Sequence, residues 1–435
     1  MKTVIESGGD TGALAGKTIS RMTYAKLGLS AATLIVLLLV PLLGDLAVIS
    51  LLNQIGIAII FALAYNLLLG QSGLLSFGHA VYYGVGAFWT IQLMAWISNG
   101  AFYVPTPLLP LAGGLGGLVF GFLLGMFCVR RHGTIFALIT LAVGELMTAL
   151  TIMLNNLSGG EEGISAWRQG WLGFTFGSAS QVYYLILFWV LLCGALLYGL
   201  TRTPFGRLML AVRDNEERAR FIGFNTYRVR LTVFCISGLF AGVAGGLLAV
   251  SNELINYEVM SITESGNVLF NTFIGGMTYF SGPIIGAALI TTLQLNLSNY
   301  TDAWLVYEGI LFVLIVMFAP GGIAGIIYVH GPVLRDGLWR LLVRSYGIAA
   351  VPAVLLVATG IFLIEFIYHW SSALYAAGAE IPLFGITWSP ASVWPWLVML
   401  VGQGVGFYLL LRYAIPSVTA AWQAVNERLN GNEEP

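Results

Sequence analysis

The chain has 435 residues, of which hydrophobic types make up 58% and charged types only 9%. Soluble domains carry about 25% charged residues, so this composition excludes a protein with an ordinary water-facing surface. The net charge is −1, which gives no argument for nucleic acid as a partner.

The first 26 residues are polar and contain the basic residues Lys2, Lys17, Arg21 and Lys26. Their length and glycine-rich start do not suit a cleaved signal peptide, so we expect a cytosolic tail over residues 1–27. The last residues of the segment 11–18 match the end of the phosphate-binding loop motif. Thr11 stands where that motif requires glycine and no strand precedes it, so no nucleotide site is predicted.

Long apolar stretches fill most of the remaining chain. A helix needs about 20 apolar residues to cross a bilayer, and backbone groups in lipid must bond within the helix. The alternation typical of strands is absent. The sequence therefore predicts an all-α, polytopic transmembrane helical bundle with about 12 crossings, over residues 28–43, 47–69, 75–97, 107–128, 134–154, 181–200, 231–250, 265–280, 283–298, 304–320, 347–368 and 393–413.

One of these stretches, residues 265–280, is short and contains Asn267 and Asn271. It either crosses the membrane or forms a broken or re-entrant segment, which is tolerated only when other helices shield it from lipid. If the N-terminus is inside and the spans alternate, Arg168 is the only one of the 19 lysines and arginines outside. The positive-inside rule therefore predicts that both termini are cytosolic.

Glycines recur every four residues in two spans, at Gly113, Gly117, Gly121 and Gly125 and at Gly238, Gly242 and Gly246. Small residues at this spacing let helix backbones approach closely. We favour tight packing within the bundle as their role, and a glycine-lined permeation path is the alternative.

Cysteines and histidines show no arrangement that indicates chemistry. The three cysteines are scattered through apolar stretches, which is no disulfide framework. The four histidines are far apart and lack metal-ligand spacing. We therefore predict no cofactor or metal in this chain, and no enzyme.

The most informative polar segment is residues 202–230, between the sixth and seventh predicted spans. Asp214 and Glu217 suit the first turn of a short helix, where the dipole favours anions, and Gly223 suits its C-terminal end. A mixed-charge helix at about 208–223 would dock into a groove on a soluble partner. An interfacial loop that carries only topogenic charge is equally compatible with the pattern.

This segment resembles the cytosolic coupling loop of ABC importer permeases. Glu217, Arg218 and Ala219 fall on the three positions of its Glu-Ala-Ala motif, with Arg218 departing from the central alanine, and Gly223 falls on its glycine. More specifically, the chain resembles the LivM-like permeases of branched-chain amino acid and urea importers. Four blocks between about residues 45 and 327 carry this resemblance: 70–80 with Gly84, Gly86 and Ala87; 140–145 with 158–164; 207–231; and 275–287 with 318–323.

The resemblance implies an ABC permease transmembrane core over residues 28–330, followed by an extension, 331–435, with two further spans. It implies two ABC ATPase subunits that bind ATP and magnesium, a second homologous permease and an extracytoplasmic solute-binding protein. The solute would be a branched-chain or other amino acid, urea or a similar small polar molecule. Coupling to the ATPase would involve Arg213, Asp214, Glu216, Glu217, Ala219 and Gly223.

Glu161 and Glu162 depart from the neutral pair that the family usually has after its glycines. We expect them on the external face, where the solute-binding protein would dock. The rival class is a self-sufficient secondary transporter or channel, which predicts inverted repeats and intramembrane charges for ion coupling. A structural or assembly protein would not need the charged docking helix.

The candidate residues of a translocation path are polar groups in or near the spans. Glu145 is the strongest, because an acid within a span usually faces the interior or a water-filled cavity. His79 either lines the path or packs against a neighbouring helix. Asn155 and Asn156 would lie at the external mouth, whereas Glu308 lies near a span end within reach of water.

Overall fold

A computed structural model describes residues 32–33, 35–42, 44–100, 103–171, 173–371, 380–390 and 392–431. The predicted tail at 1–27 lies outside these residues. The described chain is almost entirely helical, so the predicted all-α polytopic bundle is confirmed.

After helical residues at 35–42, the described part of the first half contains eight α-helices and one short strand. They are α1 Leu46–Ser72, α2 Ala80–Ser98, α3 Leu109–Cys128, α4 Thr134–Met153, α5 Asn155–Ser158, β1 Ile164–Ser165, α6 Ala179–Arg202, α7 Pro204–Asp214 and α8 Glu216–Phe221.

The second half begins with the most buried long helix. Its elements are α9 Thr226–Asn252, β2 Leu254–Ile255, α10 Ile262–Gly275, α11 Gly282–Leu297, α12 Trp304–Phe318, α13 Gly322–Arg335, α14 Trp339–Ser371, β3 Ile381–Leu383, β4 Ile386–Trp388, α15 Trp394–Leu409 and α16 Ile415–Gly431. A π-helical turn, Leu410–Ala414, joins the last two helices.

Eight described helices are long and apolar enough to cross a membrane, and the count is nine if α12 and α13, which meet at 45°, form one span. Two predicted spans, 265–280 and 283–298, correspond to α10 and α11, which have 14 and 16 residues and are shorter than a full crossing. The predicted span 28–43 lies partly outside the described residues. The count of twelve and the side of the termini stay predictions.

The glycine stripes form a close backbone-to-backbone helix contact in the bundle core. A side chain on Gly117 would collide with the carbonyl oxygen of Gly238, and one on Gly242 would collide with that of Gly113. The two stripes therefore face each other between α3 and α9, as the favoured packing interpretation predicts. This contact places α9 in the centre, where it also packs against α1 and α2.

The extension after α13 is attached to α12 and the turn before it. The Tyr307 hydroxyl donates to Glu365 Oε1 at 2.7 Å, and the Tyr368 hydroxyl donates to Asp302 Oδ2 at 3.2 Å. Strands β3 and β4 form an antiparallel hairpin between the two long helices of the extension.

Candidate functional site

The loop at 202–230 contains two short helices instead of the single helix predicted at about 208–223. The Thr203 hydroxyl accepts the Gly206 N–H at 3.2 Å and starts α7. Asn215 is extended, and its side-chain oxygen accepts the Arg218 N–H at 2.8 Å, which starts α8. Asp214 is therefore the last residue of α7, and the prediction that it lies in a first turn is wrong. Glu217 does lie in the first turn of α8.

Gly223 follows the end of α8 with a backbone φ of +98°. Its N–H bonds to the Arg220 carbonyl at 2.9 Å, and the Phe224 N–H bonds to the Ala219 carbonyl at 3.1 Å. Only glycine adopts this left-handed conformation readily. The sequence therefore located the end of this helix correctly.

Arg213 joins this loop to the end of α1. Its Nη1 atom donates to the Gly70 carbonyl at 2.5 Å, and its Nε atom donates to Asp214 Oδ1 at 3.1 Å. A side chain on Gly73 would press on the Arg213 aliphatic carbons at 2.9 Å. The loop and the first family-like block are thus in direct contact.

Glu216 holds the loop to the start of α9. Its carboxylate accepts from Arg230 at 2.5 Å, from Arg220 at 2.5 Å and from the Thr226 hydroxyl at 3.0 Å. Partial burial raises the pKa of Glu216, but the hydrogen bond and charge of Arg230, with the help of Thr226 and Arg220, lower it further, so the net pKa lies below its ordinary value. Glu216 therefore stabilises the loop through partners within the chain.

Apolar side chains stand exposed at the end of the loop. Phe221, Ile222 and Phe224 are 89%, 69% and 47% exposed. Together with the exposed Glu217 and Arg218 they form the surface that we call the loop tip. Ala219 points the other way and is buried.

The apolar part of the loop tip was not among the predicted coupling residues. The signal for it was three large apolar residues flanking Gly223 directly after the charged residues of α8. A large exposed apolar cluster with a polar rim marks an interaction site.

The acidic pair Glu161 and Glu162 lies exposed in the turn before β1. Strand β1 pairs with β2 directly after α9, and Arg168 Nε bonds to Glu253 Oε1 at 2.9 Å beside it. The loop 202–230 precedes α9 and this hairpin follows it. Because α9 has 27 residues, the two surfaces are separated by about 40 Å and lie at opposite ends of the bundle.

The predicted path residues do not converge on one site. His79 is buried, with its ring stacked on Phe61 at 5.6 Å and its Nε2 atom 3.4 Å from the Ser237 hydroxyl. Glu145 is exposed on the outer surface of α4, and Asn155 is exposed one helix later. Asn156 belongs to α5, and its side chain is not among those that the structure describes.

Residues 47–320 match the family described as the branched-chain amino acid transport system / permease component. The chain is 30% identical over 291 residues to the high-affinity branched-chain amino acid transport system permease protein LivM of Escherichia coli strain K12, across 61% of this chain and 67% of that protein. It is 25% identical over 284 residues to the probable branched-chain amino acid transport permease protein LivH of Methanocaldococcus jannaschii, across 62% and 88%.

A sugar permease is also related: the L-arabinose ABC transporter permease protein AraH of Azospirillum brasilense is 28% identical over 221 residues, across 47% of this chain and 61% of that protein. No solved structure matches the chain.

The family match runs from the start of α1 to the break between α12 and α13. It therefore contains the loop at 202–230, the facing glycine stripes and the acidic turn, and it ends before the extension. The match covers more than half of the chain, and the apolar helices agree with it. The chain is a multi-pass inner-membrane protein and belongs to the branched-chain amino acid transport system permease family.

Proposed function

We propose that this chain is the permease subunit of an ABC importer in which an ATPase subunit binds the loop tip on the cytosolic side. The supporting observation is an exposed apolar cluster, Phe221, Ile222 and Phe224, on a loop fixed to the membrane helices. Arg213 ties that loop to α1, and Glu216 ties it to α9. A displacement of the loop tip would therefore move two central helices.

Two ATPase subunits would supply ATP hydrolysis with magnesium, because this chain is proposed to contribute only the docking surface. Their nucleotide state must bind one conformation of the permease better than the other, since a ligand without differential affinity shifts no equilibrium. Within the loop, Glu217 and Arg218 form the polar rim of the docking surface. Arg213, Asp214, Ala219 and Gly223 hold its shape.

A second permease would cover the outer surface of α4. Glu145 is exposed there beside Leu138 and Leu146, which are 63% and 58% exposed, and no described side chain pairs with its carboxylate. A carboxylate facing lipid is costly, so a partner helix or a water-filled path would have to meet it. A solute-binding protein would dock at the opposite end, at Glu161 and Glu162.

The proposed solutes are small and polar, as the names of the relatives suggest: amino acids in the first instance, with a sugar or urea as the alternative. The test is purification of a tagged copy from membranes, followed by uptake in proteoliposomes. ATPase and second permease subunits should co-purify, and uptake should require ATP. Uptake by this chain alone, driven by an ion gradient, would replace the proposal with a secondary transporter.

A further inference from the structure

A polar cavity of about 280 Å³ lies between α1, α2, α10 and α11. It is near Gln54 at the start of α1 and Leu248 at the end of α9, so it occupies the half of the bundle opposite the loop tip. Glu258 and Glu264 line it, and none of its described lining residues is a lysine, arginine or histidine. Its described wall therefore carries two carboxyl groups without a basic counterpart.

A chain of hydrogen bonds links this wall to a second buried carboxylate. Asn267 Nδ2 donates to Glu264 Oε2 at 3.1 Å, and Gln294 Nε2 lies 3.3 Å from Asn267 Oδ1 and 3.0 Å from Glu308 Oε2. Glu308 is completely buried, so the prediction that it reaches water at a span end is wrong. Two amide side chains thus hold two carboxylates together across three helices.

The cavity contains a further acceptor without a donor. The Asn271 side chain is only 5% exposed, lines the cavity, and its Oδ1 atom accepts no hydrogen bond from the described residues. A buried acceptor left without a donor costs about 1–3 kcal/mol. Carboxylates carry about four acceptor sites each, and the two amides fill only a few of them. The described lining therefore keeps acceptors without donors, and the donors that it does have are neutral amide and hydroxyl groups.

We propose that this cavity binds the terminal ammonium or guanidinium group of a net-cationic solute. Glu264 lines the cavity and Glu308 lies behind the lining residue Gln294. On binding, the two carboxylates supply the opposite charge, and Asn271 Oδ1 accepts one of the N–H groups. Phe61 and Tyr83 line the same cavity with stacked rings, 4.4 Å between centroids, and aromatic faces attract cations. The cavity's place on an import route rests on the proposed function, whereas cation binding does not.

Other ligand classes fit this cavity less well. A zwitterion with a neutral side chain brings no net positive charge to these carboxyl groups, and a neutral sugar brings no cation at all. A bare metal ion is far too small, because the volume corresponds to roughly nine water molecules. The described residues also contain no group of three or more side chains suited to a metal.

Arginine and citrulline test the inference, because they have nearly the same shape and differ in the charge of the terminal group. Binding to the full-length purified protein, with all subunits that accompany it, is measured by calorimetry. Arginine should bind at least about tenfold more tightly than citrulline. Glu264→Gln and Glu308→Gln should each weaken arginine binding about tenfold, whereas Glu365→Gln, an intramembrane acid already bonded to Tyr307, should not.

Asn271→Asp should strengthen arginine binding, a gain that a misfolded variant cannot produce. Equal affinity for arginine and citrulline, or unchanged binding in both glutamine variants, overturns the inference. ATP-driven leucine uptake without arginine binding would overturn it while leaving the proposed function in place. Arginine binding without ATP-driven uptake of any solute would support the cavity and count against the importer.

Discussion

Arg213 and Gly70 are 143 residues apart in the sequence, yet the guanidinium of the first donates to the carbonyl of the second at 2.5 Å. Gly70 belongs to the last turn of α1, and Arg213 to the last turn of α7. This bond directly connects two of the four blocks by which the chain resembles its family. A displacement of the loop can therefore be transmitted to α1 through this bond directly, without α8 or α9 as intermediates.

Arg213→Gln should lower ATP-driven uptake by about tenfold, because the loss of a charge-assisted hydrogen bond of about 1.5 kcal/mol loosens the loop from α1. ATPase activity should persist, since the loop tip is unchanged. Proteoliposomes that report uptake and hydrolysis together provide the measurement. Arg228→Gln removes the positive charge of an exposed arginine in the same loop and is the matched control. Equal uptake in the two variants would contradict a coupling role for the Gly70 contact.

Phe221→Ser should weaken ATPase binding by about 2 kcal/mol, or roughly thirtyfold, because apolar anchors dominate protein interfaces. The measurement is the amount of ATPase retained on the tagged permease as detergent-solubilised subunits are diluted. Phe384→Ser, at a 71% exposed phenylalanine in the β3–β4 hairpin, is the control. If both variants retain the ATPase equally, the loop tip is not the docking surface.

Glu216→Gln should destabilise the protein by about 3 kcal/mol at neutral pH, because Arg230, with a side chain only 11% exposed, loses its counter-charge. The pKa of Glu216 is lowered in the folded state, so its stabilising effect is present above the ordinary value of 4.5. That effect is lost as pH falls through the lower folded value.

Thermal unfolding of wild type and Glu216→Gln at about pH 7 and about pH 3 should therefore show a gap that closes in acid. Glu217→Gln, at an exposed neighbour, should unfold like the wild type at both values. A gap that stays constant with pH would mean that the charge of Glu216 is not what holds the loop.

Gly117→Ala should destabilise the bundle by about 1–3 kcal/mol, because the added methyl group has no space beside the Gly238 carbonyl. Gly199→Ala should instead be neutral or stabilising by about 0.5–1 kcal/mol, since nothing lies within 4 Å of the new methyl and alanine is the better helix former. Unfolding in detergent distinguishes the two. If the alanine at position 199 lowered the stability and the alanine at position 117 did not, the close packing of α3 against α9 at Gly117 would be contradicted.

Sequence reasoning located the long spans because bilayer thickness fixes their length and composition. It ended the predicted span 304–320 at the end of α12 but did not predict α13, which begins at a break where Gly322 has a φ of +66° and packs against Gly276. That break depends on a contact between residues 46 positions apart, which no local pattern shows. The two-helix form of the loop was not predicted, because the helix start at Asn215 depends on an extended backbone there and on a hydrogen bond from the Arg218 N–H to its side chain.

The residues around the polar cavity were predicted only in part, for the same reason. Asn267 and Asn271 were identified as polar residues within a short predicted span, and Glu308 was identified as an acid near a span end. Their meeting through Gln294 depends on how three helices pack, which the spacing of residues along the chain does not contain. The ion pair of the half-buried Glu216 was not predicted either, because its partner Arg230 lies on another helix.

The facing glycine stripes have a mechanical consequence. Ordinary helix contacts interlock through side chains, so sliding requires many rotamers to change. Between α3 and α9 the contact is backbone on backbone, with glycines repeated every fourth residue on both sides. A displacement of α9 by one helical turn, about 5.4 Å, would bring glycine against glycine again. The α3–α9 contact would thus be similar in two registers, and the helix that would move between them begins beside the loop tip and ends beside the cavity.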